Sequence, residues 1–364
     1  MLAFLTACNP MSAYDGDEAH WRRAATERLA ALAKPPGSLG VLEDWAITLC
    51  VAQRTLAPTA EPASVVVFAG DHGVKLADES LSPYPASATQ AVFRALAAGV
   101  SCTATLARAA NAQLVVVDVG VAGDLSRVEG VGDVVVEHRK VARGTADFRS
   151  GDAMDDDALA AALRAGADAL AAAAARGAAC VAVGEVGIGN TTAAAALLAA
   201  LTGEDAAACC GRGTGLDDQG LAHKVDTVRR ALAFHGAGLA PREALRRLGG
   251  FEIAAMVGAY AAARAAGVVT LVDGSISAVA ALCAQMMFPE SRDRMLFAAA
   301  LAEEPGAAAG GAILARELAA KPALDMALRL GEASGAVLAL PLARSAAALL
   351  GAGTLAEAMA LSDA

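Results

Sequence analysis

Residues 184–192 read GEVGIGNTT, between the apolar run CVAV at 180–183 and an alanine-rich stretch that predicts a helix. A buried strand, a glycine turn and a helix start together present bare backbone N–H groups, an arrangement suited to an anion. Gly187, Ile188, Gly189, Asn190 and Thr191 make up that turn, with Asn190, Thr191 and Thr192 expected to cap the helix, yet Glu185 stands at its mouth. A carboxylate there repels a phosphate, so the pair points to chemistry on a phosphorylated substrate rather than to phosphate capture alone.

Three further segments carry candidate groups. CGRGTGLDDQGLAHK (210–224) ends in Lys224, on a helix predicted to begin near Asp217 or Asp218, and a lysine meets phosphate as a point charge. LRLGEASGAVLALPL (328–342) sets Glu332 among small and apolar neighbours. A carboxyl group in such surroundings holds its proton longer and becomes a useful general base near neutrality. ESLSPYPASATQAV (79–92) is a proline-broken polar loop leading into a helix, and its Ser82, Tyr84 and Gln90 suit a flat, partly polar ring. The glycine turn fits neither the dinucleotide fingerprint nor the Walker loop, which removes the direct argument for a nicotinamide-dependent oxidoreductase.

Positioning these groups falls to an alternation of strands and helices. SVVVFAG, LVVVDVG, DVVVEH, CVAVG and VVTLVDG are continuous β-branched runs, separated in several places by alanine-rich helical stretches. Continuous rather than alternating runs predict parallel strands covered on both faces, hence a doubly wound, mainly parallel α/β sheet of Rossmann-like type. DHG, GEVGIGN and DGSIS then fall at strand ends, where ligands of such sheets bind. Residues 61–290 are read as the α/β substrate-binding domain, and 1–60 with 291–364 as a small helical subdomain from both chain ends, the stretch beyond about 290 being expected to be helical.

Composition limits the alternatives. The chain has 364 residues, 56% hydrophobic and only 19% charged, enough for a sizeable core. A net charge of −10 and the lack of a basic, aromatic-interleaved stripe argue against nucleic acid as a partner. The opening MLAFLTACNP lacks the basic flank and length of a secretory signal, and the apolar stretch 267–288 is broken by Asp273 and Gly274, so no membrane partner is expected. The seven cysteines follow no C-x-x-C spacing, which predicts neither a disulfide framework nor a zinc site and fits a reducing cytoplasm; adjacent Cys209 and Cys210 read as buried small residues.

KPPGSLGVLE (34–43), FAGDHGV (68–74), GEVGIGNTT, GRGTGLDDQGLAHK, GGFEIAAMVGA (249–259), VDGSISAVAAL and RLGEASGA occur in the order and rough spacing of one enzyme family. Over about residues 34–342 the chain resembles the nicotinate-nucleotide–dimethylbenzimidazole phosphoribosyltransferases of cobalamin assembly. The resemblance implies transfer of 5-phosphoribose from nicotinate mononucleotide to a benzimidazole, giving α-ribazole 5′-phosphate and nicotinate, with no metal or other cofactor and in a homodimer. It assigns the proton-accepting base to Glu332 and a second active-site glutamate to Glu185. The phosphate and ribose fall to Gly187, Ile188, Gly189, Asn190, Thr191, Gly213 and Lys224; the base falls to Ser82, Tyr84, Gln90, Val186 and Leu330. Three departures stand out: Ser275 where the family often has Phe, Ala333 where it often has Gly, and EEPGA (303–307) where it has Glu-Pro-Gly-His. The competing reading is a non-catalytic nucleotide-binding or regulatory relative.

Overall fold

The structure, a computed structural model, describes residues 11–302 and 308–361; the EEPGA segment lies outside the described residues. Six strands form one sheet: β1 (Ala63–Gly70), β2 (Ala112–Gly120), β3 (Val135–His138), β4 (Cys180–Val186), β5 (Val269–Val272) and β6 (Met295–Phe297). Their order is β3-β2-β1-β4-β5-β6 and every neighbouring pair is parallel. The crossovers run outward in both directions from β1 and β4, so the topological switch lies between those two strands, and all carboxyl ends share one edge.

The helices used below are α1 (Met11–Ala31), α2 (Val41–Gln53), α3 (Ala88–Ala97), α4 (Cys102–Ala109), α5 (Asp156–Ala175), α6 (Asn190–Thr202), α7 (Asp218–His235), α8 (Phe251–Ala266), α9 (Ser275–Met287) and α10 (Ser334–Leu349). The period-2 pleat sends alternate strand residues into separate cores. Val66, Phe68, Val115 and Val183 join residues of α5 to α9 on one face. Val65, Val67, Val116 and Ala182 join α1 to α4 and α10 on the other. This double burial is why the strands read as unbroken apolar runs. Helices from both chain ends thus lie on the sheet itself.

At the crossing of α5 and α8 the two backbones nearly touch. A Cβ on Gly166 would fall 1.7 Å from the Ala255 carbonyl oxygen, and one on Gly258 would fall 1.9 Å from that of Leu163. Helix α5 is the one helix among the described residues long and apolar enough to cross a membrane; here its Leu159, Ala162, Ala169 and Leu170 are buried in the core.

Two local expectations are corrected. Strand β6 occupies a stretch expected to be helical. The three residues MLF are followed by alanines, whose helix propensity masks a strand held in place by pairing with β5. Helix α6 has no side-chain cap: its N-cap is Gly189 at φ 97°, and neither Asn190, Thr191 nor Thr192 closes it.

Candidate active site

The carboxyl edge at the switch point gathers the groups. The end of β1 supplies Asp71 and His72, the end of β4 supplies Glu185 and the glycine turn, and β5 is followed by Asp273, all four side chains being buried. Residues 331–333, just before α10, bring Glu332 against β4: its N–H donates to the Glu185 carbonyl at 3.0 Å. A Cβ on Gly184 would fall 2.1 Å from the Ala333 nitrogen, so the strand must carry glycine there to let the segment in. The two glutamates of the sequence reading are therefore neighbours, although far apart in the chain.

Glu332 is only 8% exposed. Burial pushes its carboxyl above the ordinary glutamate range, and a hydrogen bond from Thr103 Oγ1 to Oε2, 3.1 Å long, pulls partly back. Thr103 lies in the first turn of α4 and is fully buried. Glu185 is buried as well, and its Oε2 accepts a short hydrogen bond from Asn190 Nδ2. Asn190 is thus spent on holding the glutamate rather than capping a helix.

The turn has fewer open donors than its sequence promises. The Ile188 N–H donates to Thr89 Oγ1 at 3.0 Å, and those of Asn190 and Thr192 donate to the carbonyls of Gly187 and Gly189. Thr191 faces the second glycine segment: a Cβ on Gly213 would lie 3.0 Å from its Oγ1, and Lys224 Nζ donates to the same oxygen at 2.8 Å. Lys224 also donates to the Gly211 carbonyl at 2.9 Å and is 1% exposed, on a helix that begins at Asp218, where the start was expected, and is capped by Asp217. Thr191, Gly213 and Lys224 thus form one corner beside the turn.

The loop around 79–90 is less uniform. Ser82 Oγ lies 3.5 Å from Thr214 Oγ1, which links it to the glycine segment, and Tyr84 is 51% exposed. Gln90 packs on Gly123, just past the carboxyl end of β2, and donates to the Asp124 carbonyl at 3.3 Å. Leu330 is half exposed next to the Glu185–Gly331 contact, whereas Val186 is buried in the core on the α10 side. Cys209 and Cys210 are buried, their thiols pushed up to about 12 and about 11, so they are inert as nucleophiles.

Sequence reasoning placed DHG at a strand end without giving it a role. In the structure His72 Nε2 lies 2.8 Å from Glu252 Oε1, with both side chains fully buried. Burial opposes the imidazolium, but Glu252 and Asp71 outweigh it and raise the His72 pKa. A Cβ on Gly187 would lie 2.3 Å from the Gly70 carbonyl oxygen and 3.4 Å from His72 Nε2, so this buried pair forms the floor of the turn. Asp273 and Thr103 were also unassigned; only packing reveals them, since neither belongs to a segment that declares its partner.

A phosphoribosyltransferase family model matches residues 15–359. The chain belongs to this phosphoribosyltransferase family. Proteins named nicotinate-nucleotide–dimethylbenzimidazole phosphoribosyltransferase are similar to it: that of Pseudomonas aeruginosa PAO1 is 48% identical over 344 residues, 94% of each chain, and that of Azotobacter vinelandii is 47% identical over 328 residues, 90% of each. The crystal structure of CobT from Thermus thermophilus superposes with a TM-score of 0.86 at 39% identity, covering 93% of this chain and 98% of that one. These relatives carry enzyme names, which favours the catalytic over the regulatory reading. The candidate site of this phosphoribosyltransferase is the carboxyl edge between β1 and β4, with Glu185 and Glu332 side by side.

Proposed function

We propose that this enzyme transfers 5-phosphoribose from nicotinate mononucleotide to 5,6-dimethylbenzimidazole or a related base, releasing nicotinate and α-ribazole 5′-phosphate. The observation that carries the reading is the buried Glu332 carboxyl, raised by burial and steadied by Thr103, beside a second buried glutamate. The C–N bond to the pyridinium breaks and nicotinate leaves with its nitrogen neutral, so no general acid is needed. The bare benzimidazole nitrogen forms the new bond on the opposite face of the ribose, which inverts the anomeric carbon. Positive charge reaches the attacking ring, and Glu332 removes its N–H proton; a placed base of this kind is worth roughly 10²–10⁴-fold. Holding both rings in line supplies much of the remainder.

Glu185 supports the cationic ribosyl carbon as the leaving bond stretches. The 5′-phosphate is assigned to the Gly187–Gly189–Thr191 side of the turn, with Lys224 and Gly213 at the Thr191 corner. Ser82 and Tyr84 border the base, with Leu330 as an apolar wall. A homodimer is part of this reading, as is a cytoplasmic setting, which the free Cys50, Cys180 and Cys283 fit.

The test is chromatography of products from purified enzyme, nicotinate mononucleotide and a panel of bases. Glu332→Gln is expected to lower kcat by roughly 10²–10⁴-fold with KM for the mononucleotide nearly unchanged. Wild-type turnover in that variant would overturn the base assignment.

A further inference from the structure

Glu332 stands on neither a helix nor a strand. It is the middle of three successive left-handed residues, Gly331 at φ 78°, Glu332 at φ 58° and Ala333 at φ 63°. For the two that carry a Cβ this conformation is sterically costly, so the surroundings must impose it. Ala333 is also the N-cap of α10 and has no side chain to close that helix. The cap comes from another element. Asp273, following β5, accepts the Ala336 N–H at 2.8 Å, the bond that an N-cap side chain would normally take. A Cβ on Gly335 would fall 3.0 Å from Asp273 Oδ1, so the carboxyl group sits tightly on the first turn. From the other side, β4 fixes the segment through the Glu185 carbonyl.

We propose that Asp273 is a positioning residue for the transfer: by capping α10 from β5 it locks the left-handed turn that aims Glu332, and its negative charge strengthens Glu332 as a proton acceptor. The inference rests on the reading of Glu332 as the base. The groups that face this turn are Thr103 from α4, Glu185 from β4 and Asp273 after β5; behind the sheet, the buried Tyr260 of α8 feels the Asp273 and Glu185 charges. Burial raises the Asp273 carboxyl to about 7, the cap hydrogen bonds oppose the rise, and the Glu332 charge adds to it.

Asp273→Asn keeps an acceptor oxygen and removes the charge; Asp273→Ala removes both. Each is measured for kcat, KM for nicotinate mononucleotide and kcat against pH, with circular dichroism as the check on folding and Glu332→Gln run in parallel. Asp273→Asn is expected to match wild type below about pH 6 and to fall ~3–10-fold short at about pH 8, because the gain on ionising Asp273 is gone. Asp273→Ala is expected to lose ~10–100-fold in kcat with KM changed by less than about twofold. An Asp273→Asn profile that superimposes on wild type on the alkaline side, or an Asp273→Ala that raises KM with kcat intact, would overturn the proposal. If Glu332→Gln is inactive while both Asp273 variants behave as wild type, Asp273 alone is wrong; if Glu332→Gln turns over normally, the base assignment is wrong.

Discussion

Thr103 is the small group that tunes the ionisation of Glu332, the proposed base. Its hydroxyl bonds to the charged form of Glu332 and so holds the carboxyl below where burial alone would put it. Thr103→Val keeps the shape and removes the bond. The acid limb of kcat/KM is therefore expected to move to higher pH, by up to about one unit, with the alkaline plateau little changed; a limb that stays put or moves to lower pH would contradict this. Glu332, Glu185 and Lys224 were legible from the sequence because each lies in a long motif with a chemical reason for its type. Thr103 was not, since a threonine at the start of an alanine-rich helix carries no signal until Glu332 is seen above it. The floor of His72 and Glu252 was half legible: the histidine drew notice at its strand end, but its partner is a glutamate at the start of α8. The turn is a case where pattern and structure diverge, for the glycines do make the close approaches while several of the turn's amides are already spent.

Elements meet the same test. The five runs read as strands are strands; burial on both faces writes a continuous apolar signature in β1, β2, β4 and β5, whereas β3, at the sheet edge, is only half-buried. β6 escaped, being too short to outweigh its alanines. The crossing of α5 and α8 shows what alanine and glycine contribute beyond propensity. Side chains this small let the backbones meet directly, and any larger residue at the contact must push a helix off the sheet. Gly258→Val is expected to destabilise the protein by ~3 kcal/mol or more, read as a fall in the urea midpoint, since the obstructing Leu163 oxygen belongs to backbone and cannot rotate away. An unchanged midpoint would mean that the two helices are free to separate.

For the molecule as a whole, buried ionisable groups set an unusual pH profile. Asp71, Asp273 and Glu332 all have raised values from burial, so the folded state keeps their protons longer than the unfolded chain does. Their contribution is fully present below about pH 4 and is lost as pH rises through the folded values, about 7 for Asp273. His72, also raised, acts in the same direction above about pH 6.5. Asp78 and Glu243 act oppositely: hydrogen bonds and cations hold both at about 2, and what they contribute is lost as pH falls from about 4 towards that value. Urea midpoints are accordingly expected to peak near about pH 5 and to decline towards about pH 8; a midpoint that rises across that interval would refute the account. One consequence of the sheet order concerns time rather than geometry. Along the chain His72 of the floor comes first, the turn at 184–192 second, Glu252 of the floor third and Glu332 after them, so Glu332 must find Glu185 across a long span of chain. Such distant closure is slow to form, so the meeting of Glu332 with Glu185 is expected to be a late event of folding, although the two residues end as immediate neighbours.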